Sequence, residues 1–411
     1  MIATLSTDRP SLVALPGIAL DDFEAVRGWI RMRNGREWIV YSVASRDTWK
    51  LFRIGVSARG QVEREAQQLA SGLGELEHAS ASEDGQLVYS IVARSGHIYQ
   101  IPIDNKGQKI GPALQLVLTD EGDDIAPSVS RDGRWMAYNA TRPGRPGATF
   151  LRDLKTSAER FLEDKGHRPG DVATSISPDG SKVILQRNCE VPGVWLQGIL
   201  PDCSFLIGGE GGEPEKICDF CVPRGFSSDG SMLLIQKEGL IAGKGRDKIV
   251  ALDLATRTEK EFLSLPDNDL YHAYFSWDDR WVVFKKLLAS TMLSWTKAQI
   301  LIAPVRNGVA GGESEWIAVT DGRYGDDKPQ FSADGNTVFF TSTRDGYLCI
   351  WAQKLDPLTK RPMGAPIGYE HFHNSTGWDA RLVSSDLSVG RDKILINMPQ
   401  ERSDVWVTQL Q

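Results

Sequence analysis

The 411-residue chain carries 47 basic and 54 acidic residues, a formal charge of −7, and no basic block able to neutralise a run of phosphates, which argues against a nucleic-acid partner. Its 41% hydrophobic and 25% charged residues supply a core and exclude disorder, while 40 Gly and 20 Pro without a short period suit many turns between short strands and exclude a helical bundle. No stretch approaches the roughly 18 consecutive apolar residues of a membrane span, and Asp8 and Pro10 interrupt what an export signal would need as its apolar centre. The chain therefore reads as soluble, monomeric and cytoplasmic as it stands, or periplasmic or extracytoplasmic if it is one module of a larger anchored protein.

In chain order, an isolated apolar run, Ser11 to Leu15, comes first. A recurring unit follows: a few apolar residues, Ser-x-Asp-Gly, a polar residue, then an alternating apolar run. It is clearest at Ser130-Arg131-Asp132-Gly133 before Trp135 to Tyr138. It returns at Ser82 to Gly85, Ser177 to Gly180, Ser227 to Gly230, Ser276 to Asp279 and Ser332 to Gly335, with weaker copies at Asn34-Gly35 and Gly390 to Asp392. A tight Asp-Gly turn between two alternating runs predicts an antiparallel hairpin, strands A and B. A third run (His97 to Asp104, Lys248 to Leu254, Tyr347 to Leu355) and a short fourth (Leu114 to Leu118, Trp316 to Thr320) complete four strands per unit. Eight copies spaced by about 50 residues predict an all-β chain, a β-propeller of about eight four-stranded blades over residues 1–411, or seven if the first copy is spurious. The last unit stops after Asp404 to Gln409, so pairing that strand with Ser11 to Leu15 would close the ring. Trp135, Trp281, Trp351 and Trp406 fall in B or C strands, where an aromatic packs between blades.

With the Asp-Gly turns on one face, the residues entering the A strands gather at the opposite mouth. They are Glu77 and His78, Asp123 and Asp124, Asp171, Arg224, Tyr271 and His272, and Asp326 with Asp327 and Lys328. The B–C loops bring Arg46, Arg94, Arg142, Arg187 and Arg344 to the same face. The candidate ligand-binding ring is His78, Asp124, Arg142, Asp171, Arg224, His272, Asp327 and Arg344, a mixture of carboxylates, guanidinium groups and imidazoles suited to a peptide or polar small molecule. Loop solubility is the competing reading for each residue singly.

Two metal candidates stand apart. His371 and His373, at i and i+2, would share a strand face and reach one ion, with Glu370 on the other face. Cys218-Asp219-Phe220-Cys221 has the spacing of half a zinc knuckle, completed by Cys189 and Cys203, or else belongs to a disulfide. Cys349, inside a strand, reads as structural. No Gly-x-Ser-x-Gly elbow, P-loop or dinucleotide fingerprint occurs, so no catalytic residue and no cofactor is expected.

The Ser-Pro-Asp-Gly units, with an apolar strand, an Arg-Asp-Gly loop and a strand ending near Asp-Leu, resemble the WD-like repeats of TolB-type propellers over nearly the whole chain. The segments Glu313 to Gly322, Asp326 to Pro329, Thr341 to Gly346 and Leu348 to Ala352 look like the propeller module that many bacterial regulators carry behind a kinase or winged-helix domain. The resemblance implies a non-enzymatic scaffold or sensor that contacts a protein or peptide. The alternative is a metal-dependent lyase or hydrolase acting on a carbohydrate or lactone.

Overall fold

Each Ser-x-Asp-Gly unit folds into the hairpin its chemistry calls for. In the computed structural model, Ser130 Oγ donates to Asp132 Oδ1 at 2.6 Å and accepts from Trp135 N at 2.9 Å, while Asp132 Oδ1 also takes the Arg134 N–H. The turn closes with Gly133 at φ 76°, a conformation open to glycine at little cost. The same bonds recur at Ser177–Asp179, Ser227–Asp229, Ser276–Asp278 and Ser332–Asp334.

The structure describes residues 2–4, 11–13, 23–31, 35–45, 48–57, 61–72, 75–82, 84–116, 124–142, 145–162, 172–188, 202–237, 247–288, 297–373 and 386–409. The chain divides into two compact units, Gly96–Pro399 and Met1–Ser95 with Gln400–Gln411, where the repeat count anticipated one domain.

The larger unit holds the ring. Five antiparallel sheets lie wholly inside it, in strand order A to D. Blade I is Asp124–Val129, Trp135–Arg142, Arg145–Asp153 and Glu159–Phe161; blade II is Val172–Ile176, Lys182–Asn188, Asp202–Gly208 and Glu215–Asp219. Blade III is Cys221–Phe226, Met232–Lys237, Lys248–Asp253 and Glu259–Leu263. Blade IV is Leu270–Phe275, Trp281–Leu287, Ala298–Arg306 and Ile317–Ala318, and blade V is Asp327–Phe331, Thr337–Ser342, Cys349–Lys354 and Ile367–Glu370. Blade VI is composite: Leu387–Val389 and the start of Lys393–Gln409 pair onward to the end of Gln86–Pro102 and to Leu114–Gln115.

Burial shows why these sheets close on themselves. Leu234 and Phe262 of blade III share a core with Phe275 and Phe284 of blade IV, and Val283 and Ile300 of blade IV share the next with Val338 and Phe340 of blade V. Phe339 and Ile350 of blade V then pack on Ile394 and Ile101 of blade VI, whose Ile98 and Leu395 pack on Met136 and Tyr138 of blade I. Blades I with II and II with III are joined likewise. Every sheet thus buries both faces against neighbours, and the cycle closes after six. The all-β propeller expectation is met; where the repeat spacing anticipated about eight blades, or seven, six sheets form the cycle of the larger unit. The closure differs as well: blade VI joins the two ends of the larger unit, while Ser11–Val13 pairs with Ile2–Thr4.

In the smaller unit, Phe23–Arg31, Glu37–Ser45, Thr48–Val56 and Val62–Gly72 form a four-stranded sheet, with Ile39, Tyr41 and Ile54 packed on one face and Val40, Leu51, Leu87 and Tyr89 on the other. Trp135, Trp281 and Trp351 pack against inter-blade cores as expected, whereas Trp406 is half exposed.

One turn departs from the repeat informatively. Asp279 stands where the Ser-x-Asp-Gly turns of blades I, II, III and V have glycine and holds φ 54°, strain worth about 1–2 kcal/mol. Its carboxylate accepts the Ser228 N–H at 2.8 Å and approaches the Arg131 guanidinium at 3.4 Å, tying three blades together. Asp279→Gly is therefore expected to destabilise the chain by about 1–2 kcal/mol, because two charge-assisted bonds outweigh the relieved strain. A higher urea midpoint for this variant would show that the strain dominates.

Candidate functional site

The A strands line a central cavity of about 370 Å3 in the larger unit, with walls drawn from all six blades. Its far end, on the Asp-turn side, is crossed by Arg131, whose Nη1 donates to Trp277 O at 2.7 Å and whose ring-facing cation lies 5.5 Å from the Trp277 centroid. Burial lowers the Arg131 pKa, and Asp279 opposes that shift. A guanidinium tied to main-chain carbonyls thus makes the floor of the channel.

At the mouth the A strands share one irregularity. In each of blades I to V, one extra residue is inserted opposite the B strand, between Ile125 and Ser128, Ala173 and Ser175, Pro223 and Gly225, Tyr271 and Tyr274, and Asp327 and Gln330. A bulge breaks the two-residue alternation and re-aims side chains. Within these bulges lie Arg224, His272 and Lys328, the last two at φ 50°. Positive φ in residues with a Cβ stores strain, and such strain gathers at binding sites.

Four consecutive blades supply the charges. Asp327 Oδ1 is 2.6 Å from His272 Nδ1 and 2.9 Å from Lys285 Nζ, and it accepts the Lys328 N–H at 2.8 Å. Lys328 Nζ lies 2.7 Å from Asp386 Oδ1. Burial alone would raise the Asp327 pKa, but Lys285 and His272 hold it well below the usual carboxylate range. Burial pushes His272 the other way, down to about 4, with Arg224 and Lys285 adding to the effect and Asp327 opposing it. His272 is therefore neutral near pH 7, and a Nδ1–H given to the Asp327 carboxylate leaves Nε2 as a hydrogen-bond acceptor.

Arg224 has no ion pair among the described residues, and its buried Nε has no hydrogen-bond partner there. Gln236, on the neighbouring strand of blade III, likewise has a buried Oε1 without a partner. The cavity thus sets four cations (Arg131 at the floor; Arg224, Lys285 and Lys328 nearer the mouth) against two carboxylates (Asp327, Asp386), beside the aromatic rings of Tyr271, Tyr274, Phe275 and Trp277.

Of the residues picked from sequence, Arg224, His272 and Asp327 come together in this cavity. Asp124 is fully buried and does not line it. Arg344 is placed elsewhere too: it pairs with buried Asp326 at 2.7 Å and lies 5.1 Å from the Tyr324, Phe340 and Trp351 ring centroids. Arg187, which the structure places on strand B rather than in the B–C loop, similarly lies over Phe205, so both arginines brace their own blades. Asp171 and the side chains of His78 and Arg142 lie outside the described residues. Lys285, Asp386 and Gln236 were missed; they sit on B strands or ahead of blade VI, where strand-entry spacing has no purchase.

The cysteine candidates resolve differently from a zinc knuckle. Cys218 and Cys221 form a disulfide with a Cα–Cα distance of 6.1 Å, and Cys203 is also disulfide-bonded. Sulfurs so committed bind no zinc. His371 and His373 lie just beyond the D strand of blade V and both reach Asp345 Oδ2, each at 2.9 Å.

No protein-family model and no curated protein matches the chain. Among solved structures it is similar to a TolB-type protein from Agrobacterium tumefaciens, at 19% identity and a TM-score of 0.49, covering 77% of this chain and 100% of that one. It is also similar to TolB from Acinetobacter baumannii (12% identity, TM-score 0.45, 89% of this chain and 79% of that one). A third is the β-propeller domain of the Trilobed protease from Pyrococcus furiosus (10% identity, TM-score 0.42, 86% and 99%). The fold is a β-propeller. The expected likeness to the modules of kinase or winged-helix regulators finds no support among these structures. Among the described residues, no helix is long and apolar enough to cross a membrane.

Proposed function

We propose that the channel of the larger unit is the binding site of a non-enzymatic scaffold or sensor, and that it receives the carboxylate end of a peptide or protein segment. The observation that carries this reading is Arg224, a cation with no ion pair among the described residues, held by a strand bulge in a walled cavity. A guanidinium in such a place favours a bidentate carboxylate. Gln236 Oε1 and His272 Nε2 are acceptors for the N–H or O–H donors of the same ligand, and the rings of Tyr271, Tyr274 and Trp277 suit its apolar parts. We further propose an oxidising compartment, since disulfides persist there and not in the cytosol.

The His272–Asp327 pair favours a second reading, general-base chemistry on an anionic substrate. A base with a pKa of about 4 is poorly matched to neutral pH, and this weighs against it.

The test is fluorescence binding of short peptides with a free C-terminal carboxylate against the same peptides amidated, using protein kept free of reductant. Amidation should weaken binding by about tenfold or more, a loss of about 1.4 kcal/mol. Arg224→Met should abolish that difference, and alkylation of the unfolded, unreduced chain should leave Cys218 and Cys221 unlabelled. Equal binding of the two peptide forms, or none, rejects the carboxylate reading. Conversion of the peptide, read by mass spectrometry, favours the enzyme, and labelling of Cys218 rejects the oxidising compartment.

A further inference from the structure

Away from the channel, on blade V, four side chains of metal-binding type converge. Asp345 comes from the loop between strands B and C, Cys349 opens strand C, and His371 and His373 follow strand D. The ligand atoms of all four lie within 4.8 Å of one another. Tetrahedral zinc, bonded to nitrogen at about 2.0–2.1 Å and to sulfur at about 2.3 Å, needs ligand separations of about 3.3–3.8 Å. Small side-chain rotations bridge that gap.

The arrangement is held from outside as well as within. His371 meets the Trp351 ring edge to face at 5.7 Å, and His373 stacks on Tyr347 at 4.4 Å. Gly368 has no Cβ where one would stand 2.1 Å from His371 Nε2, so the imidazole lies directly on the strand backbone. Cys349, fully buried with a free thiol, forms the base, while His371 and His373 are exposed at the rim. Pre-oriented imidazoles around a shared carboxylate, with one thiol beneath them, present nitrogen, sulfur and oxygen donors to a single point.

We propose that Asp345, Cys349, His371 and His373 form a binding site for one Zn2+ ion. Binding forms two Zn–N bonds, one Zn–S bond and one Zn–O bond, and the thiol proton of Cys349 leaves to solvent. Four protein ligands leave no open position, which makes the site structural. None of the four lines the channel, so the ion takes no part in chemistry there. It ties the B–C loop to the end of strand D. The proposal does not depend on what the channel binds.

The experiment uses the full chain with its disulfides intact, stripped with chelator and then dialysed against Zn2+ or Co2+. Metal analysis should find one zinc per chain. Cobalt should give the intense visible bands of a tetrahedral site and a near-ultraviolet thiolate-to-metal band. Cys349→Ser should lose that ultraviolet band, and His371→Ala and His373→Ala should each weaken zinc binding by about tenfold or more. Because the two histidines are exposed, their variants keep the test valid if Cys349→Ser fails to fold. A chain that retains no zinc, or retains it equally well in both histidine variants, overturns the proposal.

Discussion

Asp327→Asn is expected to lower the stability of the chain by about 3–5 kcal/mol, the cost of removing one partner from a buried ion pair. Lys285 Nζ is 2.9 Å from this carboxylate, and the two side chains are only 2% and 5% exposed. Asparagine keeps the size and can still accept the Lys328 N–H, so the loss isolates charge from packing. His272 would keep a neutral neighbour in place of an anion, and the cavity cations would face Asp386 alone. Combining Asp327→Leu with Lys285→Met removes both charges, and this pair should be clearly less damaging than Asp327→Asn by itself. Urea unfolding followed by the fluorescence of the 12 tryptophans gives the comparison. An Asp327→Asn variant within about 1 kcal/mol of the parent would mean that water reaches Lys285 and that the network is not what fixes the mouth of the channel.

The hairpins were legible in the sequence because their information is local. Ser130, Asp132 and Gly133 satisfy one another within one turn, so the motif predicts the turn wherever it occurs. Membership of the ring is a different matter. Ser82 to Gly85 makes the same kind of turn, with the Gly85 N–H given to Ser82 O, yet it belongs to the smaller unit. Even the mouth bulge has counterparts there, between Val26 and Gly28 and between Leu76 and Ala79. What separates ring from remainder is a long-range choice, the packing of Ile98 and Leu395 on Met136 and Tyr138, which no local motif records.

The site was half legible for a related reason. Strand-entry positions found Arg224, His272 and Asp327, but side-chain alternation cannot say which entering residue faces the channel once a bulge intervenes. Asp326 and Asp327 are adjacent, yet one anchors Arg344 within its blade and the other holds His272 in the cavity. Asp124, three residues before a proline as Asp326 is, is buried in the same way. His371 and His373 were paired by strand spacing, but they follow the strand, and Asp345, from a distant loop, is what joins them.

Between pH 6.5 and 4 the chain should lose roughly 3 kcal/mol of stability through His272 alone. Its ordinary pKa of 6.5 falls to about 4 in the fold, chiefly by burial, a difference in proton affinity worth roughly 3 kcal/mol. The sign follows from which state takes the proton: below 6.5 the unfolded chain binds it and the folded chain does not, so unfolding is favoured. The contribution is complete above pH 6.5 and is lost as pH falls through 4. Every group facing the ring bears on this balance. Asp327 favours the charged imidazole, Arg224 and Lys285 oppose it, and Lys328 and Asp386 pair with each other nearby. His272→Gln retains an N–H for Asp327 but cannot titrate, so urea unfolding at a series of pH values should give a flatter profile for this variant, the difference from the parent growing towards pH 4. A difference that stays constant with pH would place the titrating group elsewhere. It would also allow a charged His272 near neutrality, whose Nε2 would then carry a proton and repel the ligand donor that the neutral ring is placed to accept.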